Sequence, residues 1–192
     1  MSIIRGFEPL QYNRQVISES VNDRSPIKLR SILQRADTKN QNGRIYPRAI
    51  LEREMNNYME FIKNRSAMGE LDHSDSSVVN LKNVSHALIE AHWEGNDVVG
   101  TIEILTTPSG NILRELLLNN IRLGVSSRGL GSVLENADGD TEVDEDFSLL
   151  CYDIVSSPST HGAFLNESIN HEMESKFSKI NSLVIDFLTE IR

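Results

Sequence analysis

Two short stretches of this chain hold residue types that together can break an acyl bond: Gly69-Glu70-Leu71-Asp72-His73 and, later, Gly124-Val125-Ser126-Ser127-Arg128-Gly129. A histidine after a tight acidic turn, followed by serine between small residues, supplies the base and nucleophile of a hydrolase in the order His, Ser. Asp153, in Leu149-Leu150-Cys151-Tyr152-Asp153, lies one strand further on and is of the type that holds an imidazole in its working tautomer. Ser126 and Ser127 are adjacent, so on a strand they point to opposite faces and only one can share a pocket with His73. Each residue also has a plainer role. Serine ahead of glycine is common in strands, a histidine beside Asp72 in a turn is often solvated, and Asp153 in an apolar run must be paired, with backbone amides or an arginine such as Arg128.

Two rival constellations are weaker. Glu90 and His92 share a strand face with His86, but no helical His-Glu-x-x-His or cysteine-rich ligand set accompanies them, so no metal and no cofactor is expected. Cys151 has apolar neighbours that favour an inert core thiol over a nucleophile.

The elements that must position these groups follow from periodicity. Residues 1 to 26 show no period and end at Ser25-Pro26, which reads as a loosely ordered arm, with the folded part starting near Ile27. Ile27 to Ala36 predicts a strand. Pro47 suits the first turn of a helix whose apolar stripe is Leu51, Met55, Tyr58 and Ile62. From Val84 to Trp93 the odd positions are small or apolar, predicting a strand with the odd face inward; Glu94-Gly95-Asn96-Asp97 turns it into a partner running to Leu105. Thr107-Pro108 caps a helix burying Ile112, Leu113, Leu116 and Leu117. Residues 123 to 134 and 146 to 155 read as an antiparallel pair around the acidic loop 135 to 145. The fold class expected is α+β, a small antiparallel β-barrel surrounded by helices.

At 192 residues the chain suits one sizeable core, with a domain of catalytic size over 27–165 between the arm and a tail at 166–192. In that tail Met173, Phe177, Ile180, Val184, Phe187 and Ile191 follow a 4-3-4-3-4 rhythm, the mark of an amphipathic helix that either docks on its own domain or forms a short coiled-coil seam. A net charge of −9, with Arg114, Arg122 and Arg128 scattered, argues against a nucleic-acid partner. The single cysteine excludes an internal disulfide framework. No run approaches eighteen apolar residues, so the expectation is a soluble, unexported protein without a membrane partner.

Four segments in order, Asn42-Gly43-Arg44-Ile45-Tyr46-Pro47, Gly69 to His73, Trp93 to Val98 and Gly124 to Ser132, resemble the prohead core protein proteases of T4-like tailed phages. The similarity spans residues 30 to 160 and is specific because the motifs occur together and in register. The resemblance implies a serine endopeptidase with a fold similar to the herpesvirus assemblins, with His73 as base, Ser126 as nucleophile and Asp153 as third member. Assemblins use a second histidine there, which makes His161 the alternative. It further implies digestion of the internal scaffold and trimming of capsid precursors inside the immature capsid, in the host cytoplasm, with cleavage after glutamate and an aliphatic residue two positions earlier. The partners implied are scaffold and capsid precursor proteins, with self-association open. One departure is visible: the asparagine and proline that often flank the motif histidine are replaced by Asp72 and Ser74.

Two sites of the implied cleavage type lie outside the region of resemblance, after Glu19 in Ile17-Ser18-Glu19-Ser20 and after Glu167 in Leu165-Asn166-Glu167-Ser168, and are expected self-cleavage points. A second reading from another class is a catalytically idle scaffold component that uses the same fold and tail for assembly.

Overall fold

The computed structural model describes residues 2–6, 8–9, 26–40 and 42–156. Their elements run β1 (Ser2–Arg5), β2 (Glu8–Pro9), β3 (Lys28–Arg35), β4 (Arg44–Ile45), α1 (Arg48–Lys63), β5 (Met68–Glu70), β6 (Val84–Glu94), β7 (Asp97–Ile104), α2 (Pro108–Leu118), β8 (Gly124–Gly131), β9 (Val133–Glu135), β10 (Thr141–Val143) and β11 (Ser148–Val155). This is a mixed α+β arrangement.

The strands form three sheets. One has the order β3-β7-β6-β5, a second has β8 flanked by β11 on one side and by β1 and β2 on the other, and a small third is β4-β10-β9. The two larger sheets meet at their β5 and β11 edges through one bridge, Leu71 to Ile154, reinforced by the Asp72 N–H donating to the Ile154 carbonyl at 2.8 Å. The expected small barrel is not found: among the described residues the sheets do not close into one ring. At this seam β5 is three residues long, and its pairing with β11 stops at that single bridge.

Helix α1 behaves as its period predicts, burying Leu51, Met55, Tyr58 and Ile62 together with Ile50 and Glu54. Pro47 sits one place before the helix, and Asp37 accepts the Arg48 N–H at 2.9 Å, capping the helix from outside its own segment. Tyr58 packs edge-on to Tyr152, with ring centroids 5.6 Å apart, and Glu54 accepts the Leu149 N–H at 2.8 Å; helix and β11 are thereby held together. Thr107 caps α2 as expected, accepting the Gly110 N–H at 3.0 Å.

Four local readings change. Residues 2–5 and 8–9 are not loose: they pair with β8, and Ile4 is buried in the core, so folded structure begins well before Ile27. Ile112 is 54% exposed because Leu113 and Leu117, four apart, take the buried stripe of α2 and leave Ile112 round the side. In β6 both faces are buried from Val84 to Leu88, since α2 packs over this half; the bulge between Leu88 and Glu90 precedes the alternating, half-exposed remainder. The acidic loop is itself structured, as the β9–β10 hairpin. His161, Glu19, Glu167 and the heptad-patterned tail lie outside the described residues.

Candidate active site

The seam between the two larger sheets brings three segments together. On β8, Ser126 and Arg128 share one face by the two-residue period; on β11, Cys151 and Asp153 share the matching face, with Asp153 directly opposite Ser126. The third segment leaves the end of β5. Gly69 allows it to come close, since a Cβ there would lie 2.0 Å from the Tyr152 carbonyl oxygen and 2.2 Å from His86 Nε2. Asp72 then adopts φ of +70°, a left-handed turn that aspartate tolerates, and its carboxylate accepts the His73 N–H at 2.8 Å. The turn reverses the chain so that His73 reaches back over the seam.

The result is a hydrogen-bonded line. Asp153 Oδ2 lies 2.9 Å from His73 Nδ1, and His73 Nε2 lies 2.8 Å from Ser126 Oγ. Of the two candidate serines, it is Ser126 that faces the imidazole. Asp153 is wholly buried and Ser126 is 2% exposed, whereas the His73 side chain keeps 16% of its surface. A ring nitrogen between a carboxylate and a hydroxyl can take a proton from the hydroxyl while the carboxylate holds the ring in register.

Burial pushes the Asp153 carboxyl upward, but the hydrogen bond with His73, the Glu70 N–H at 3.0 Å and the Arg128 guanidinium outweigh it and hold the group below the usual carboxylate range. Both plain pairings anticipated for a buried aspartate, backbone amide and Arg128, are thus present alongside the histidine. Cys151 places its Sγ 3.4 Å from Asp153 Oδ1, and its pKa is pushed up to about 12, first by burial and then by the Asp153 charge, so it stays a neutral thiol.

One occupant of the site has no counterpart in the motifs. Ser126 Oγ also donates to the carbonyl of Gly6, which follows β1, and the Gly6 N–H donates to the Ser127 carbonyl at 3.0 Å. The N-terminal segment therefore runs along β8 across the nucleophile candidate. Sequence reading missed it because Ser2-Ile3-Ile4-Arg5 is too short to show a period. It also gave Glu70 no role, although a carboxylate between Gly69 and Leu71 in a short strand signals a buried, paired charge; Glu70 is fully buried.

The histidines of β6 are dispersed. His86 is buried, with Nδ1 2.8 Å from Ser85 Oγ and Nε2 3.0 Å from the Tyr152 carbonyl, and His92 bonds Glu94 at 2.8 Å on the surface. Among the described residues no three His, Cys, Asp or Glu side chains group as metal ligands.

Comparison with known proteins places this geometry in context. The chain is 34% identical over 143 residues to the prohead core protein protease of Enterobacteria phage T4, a match covering 71% of this chain and 66% of that relative, just under two thirds of its length. Its fold is similar to the solved structure of the bacteriophage T4 capsid assembly protease, with a TM-score of 0.71 at 24% identity over 82% of this chain and 98% of that one. The profile of the prohead core protein serine proteases matches residues 5–174, most of the sequence, and on that match the chain belongs to the prohead core protein serine protease family.

Proposed function

We propose that this protein is a serine endopeptidase of capsid maturation in which Ser126 is the nucleophile, His73 its general base and Asp153 the carboxylate that orients the imidazole. The observation that carries the reading is the line from Asp153 through His73 to Ser126, at 2.9 and 2.8 Å, in a chain of this family. In the forward reaction Ser126 Oγ attacks the scissile carbonyl as His73 Nε2 takes its proton. The imidazolium, held by Asp153, gives that proton to the leaving amine, and water then repeats the sequence on the acyl-enzyme.

The same reading extends to substrate and place. The enzyme acts inside the prohead on scaffold and capsid precursor proteins, cutting after glutamate with an aliphatic residue two positions earlier, and it cuts itself after Glu19 and Glu167. A protease class related to the herpesvirus assemblins is part of this proposal, with the third member an aspartate.

A fluorophosphonate probe tests it. Ser126-dependent labelling that vanishes in Ser126→Ala is the expected result, together with new termini at Ser20 and Ser168 in the incubated parent alone. An unlabelled parent protein, as the idle-scaffold reading requires, refutes the enzyme.

A further inference from the structure

The catalytic line uses three side chains, yet the most heavily bonded group at the seam is a fourth. Arg128 is fully buried two residues beyond Ser126, and its guanidinium makes five hydrogen bonds: Nε to Asp153 Oδ2 at 2.9 Å, Nη2 to Asp153 Oδ1 at 3.3 Å and Glu70 Oε1 at 2.7 Å, and Nη1 to Ser74 Oγ at 2.7 Å and the Ser76 carbonyl at 2.6 Å. Its five donors thus reach the strand of Asp153, the end of β5 and the segment just after His73 from a single planar fork. Glu70 completes the frame. Its Oε1 also accepts from the Asn80 N–H at 3.0 Å and Ser74 Oγ at 3.4 Å, and its Oε2 accepts from Asn83 Nδ2 at 3.3 Å. The loop from 71 to 83 that presents His73 is therefore tied at both ends to one buried ion cluster.

We propose that Arg128 and Glu70 are positioning residues of this site: Arg128 fixes the plane of the Asp153 carboxylate and clamps the His73 loop, and Glu70 leaves the buried cluster one negative charge in excess. The proposal rests on the triad reading above. With one guanidinium and two carboxylates, the cluster is short of one positive charge, and the His73 imidazolium formed during attack supplies it. Without Glu70 the cluster would be neutral at rest, and proton transfer to His73 would leave it positive in a site shielded from water.

Among the described residues, the other charged groups near His73 do not fill this role. Asp72 is engaged with the His73 N–H at the turn, Arg5 and Asp75 pair with each other at 2.8 Å on the solvent side, Cys151 is a neutral thiol, and buried His86 is held low, at about 4, by desolvation.

Glu70→Gln keeps the shape and removes the charge; Arg128→Lys keeps the charge and removes the fork; Ser74→Ala releases one point of the clamp, its bonds to Arg128 and Glu70, while both buried ions stay in place. Two measurements read them: protonation of the His73 ring followed by NMR against pH, and the rate and saturation constant of serine phosphonylation by a fluorophosphonate, in which Oγ bonds to phosphorus and fluoride leaves, with Ser126→Ala in parallel. In Glu70→Gln the His73 titration midpoint moves to lower pH and phosphonylation slows about tenfold at unchanged saturation. In Arg128→Lys phosphonylation slows at unchanged saturation and the midpoint stays. An unmoved midpoint in folded Glu70→Gln overturns the electrostatic half. Parent-like phosphonylation in folded Arg128→Lys overturns the clamp, and if that variant does not fold, parent-like phosphonylation in Ser74→Ala does so. Labelling that persists in Ser126→Ala instead brings down the triad reading itself.

Discussion

Ser126 and Ser127 are neighbours on β8 that look into different worlds. Ser126 Oγ is 2.8 Å from His73 Nε2, whereas Ser127 Oγ, on the opposite face beside the Tyr46 hydroxyl, is buried and has no hydrogen-bond partner of ordinary geometry among the described residues. Both are almost wholly shielded from solvent, so exposure does not separate them; orientation does.

Ser126→Ala is expected to lower turnover by about 10⁶, the loss typical when a serine protease is stripped of its nucleophile. Ser127→Ala removes an unsatisfied buried hydroxyl, so it should leave turnover near the parent's and stability unchanged or slightly raised. Kinetics and thermal unfolding of the two purified variants decide it; comparable turnover in both would remove Ser126 from the role.

Asp153→Asn should lower turnover by roughly 10⁴ through a misoriented imidazole. The structure adds a second effect. Asp153 also carries Arg128, so the variant loses charge-assisted bonds and should be destabilised by about 2 kcal/mol. Turnover must therefore be measured per folded molecule. A mild Asp153→Asn beside a severe His161→Ala would transfer the third role to the histidine.

The three residues of the hydrogen-bonded line were legible as candidates because chemistry restricts such groups to a few types and the strand period assigns faces. Arg128 appeared in the sequence only as one way to neutralise Asp153, since nothing in a linear motif says that one guanidinium also reaches Glu70, Ser74 and Ser76. Helix α1 and the β6–β7 hairpin were legible for the same reason as any amphipathic element. The docking of β1 was not, because four residues carry no period and their pairing with β8 joins positions more than 120 apart. The barrel failed on a comparable point: sheet closure depends on whether β5 continues along β11, which no local pattern encodes.

Stability should fall on mild acidification because of His86. Burial holds its folded value at about 4, below the ordinary histidine value, so between these limits the unfolded chain binds a proton that the folded chain refuses. Its contribution is complete above about pH 6.5 and declines toward pH 4, by about 3 kcal/mol in all. Asp153 acts lower: its depressed carboxyl stabilises the fold above the ordinary aspartate value and loses that contribution as pH falls through the folded one. Denaturant unfolding at pH 7 and pH 4.5 should show the first loss in the parent and much less of it in His86→Gln. Equal slopes in both would assign the acid sensitivity elsewhere.

The last prediction concerns Gly6, whose carbonyl competes with His73 for the Ser126 proton. While the hydroxyl donates to Gly6 it is not donating to the imidazole, so release of this segment should activate the serine. A Cβ at position 6 would lie 2.8 Å from Ser127 Oγ and 3.5 Å from both Asn40 Nδ2 and the Tyr46 hydroxyl, so a branched side chain cannot keep the present approach. Gly6→Val should forfeit a hydrogen bond of about 1 kcal/mol and label with fluorophosphonate about fivefold faster than the parent. Ser127→Ala removes the nearest obstacle, so Gly6→Ala combined with Ser127→Ala should label more slowly than Gly6→Ala alone. If Gly6→Val labels at the parent rate while remaining folded, the Gly6 carbonyl does not restrain Ser126, and the segment's passage across that serine serves only to extend the sheet.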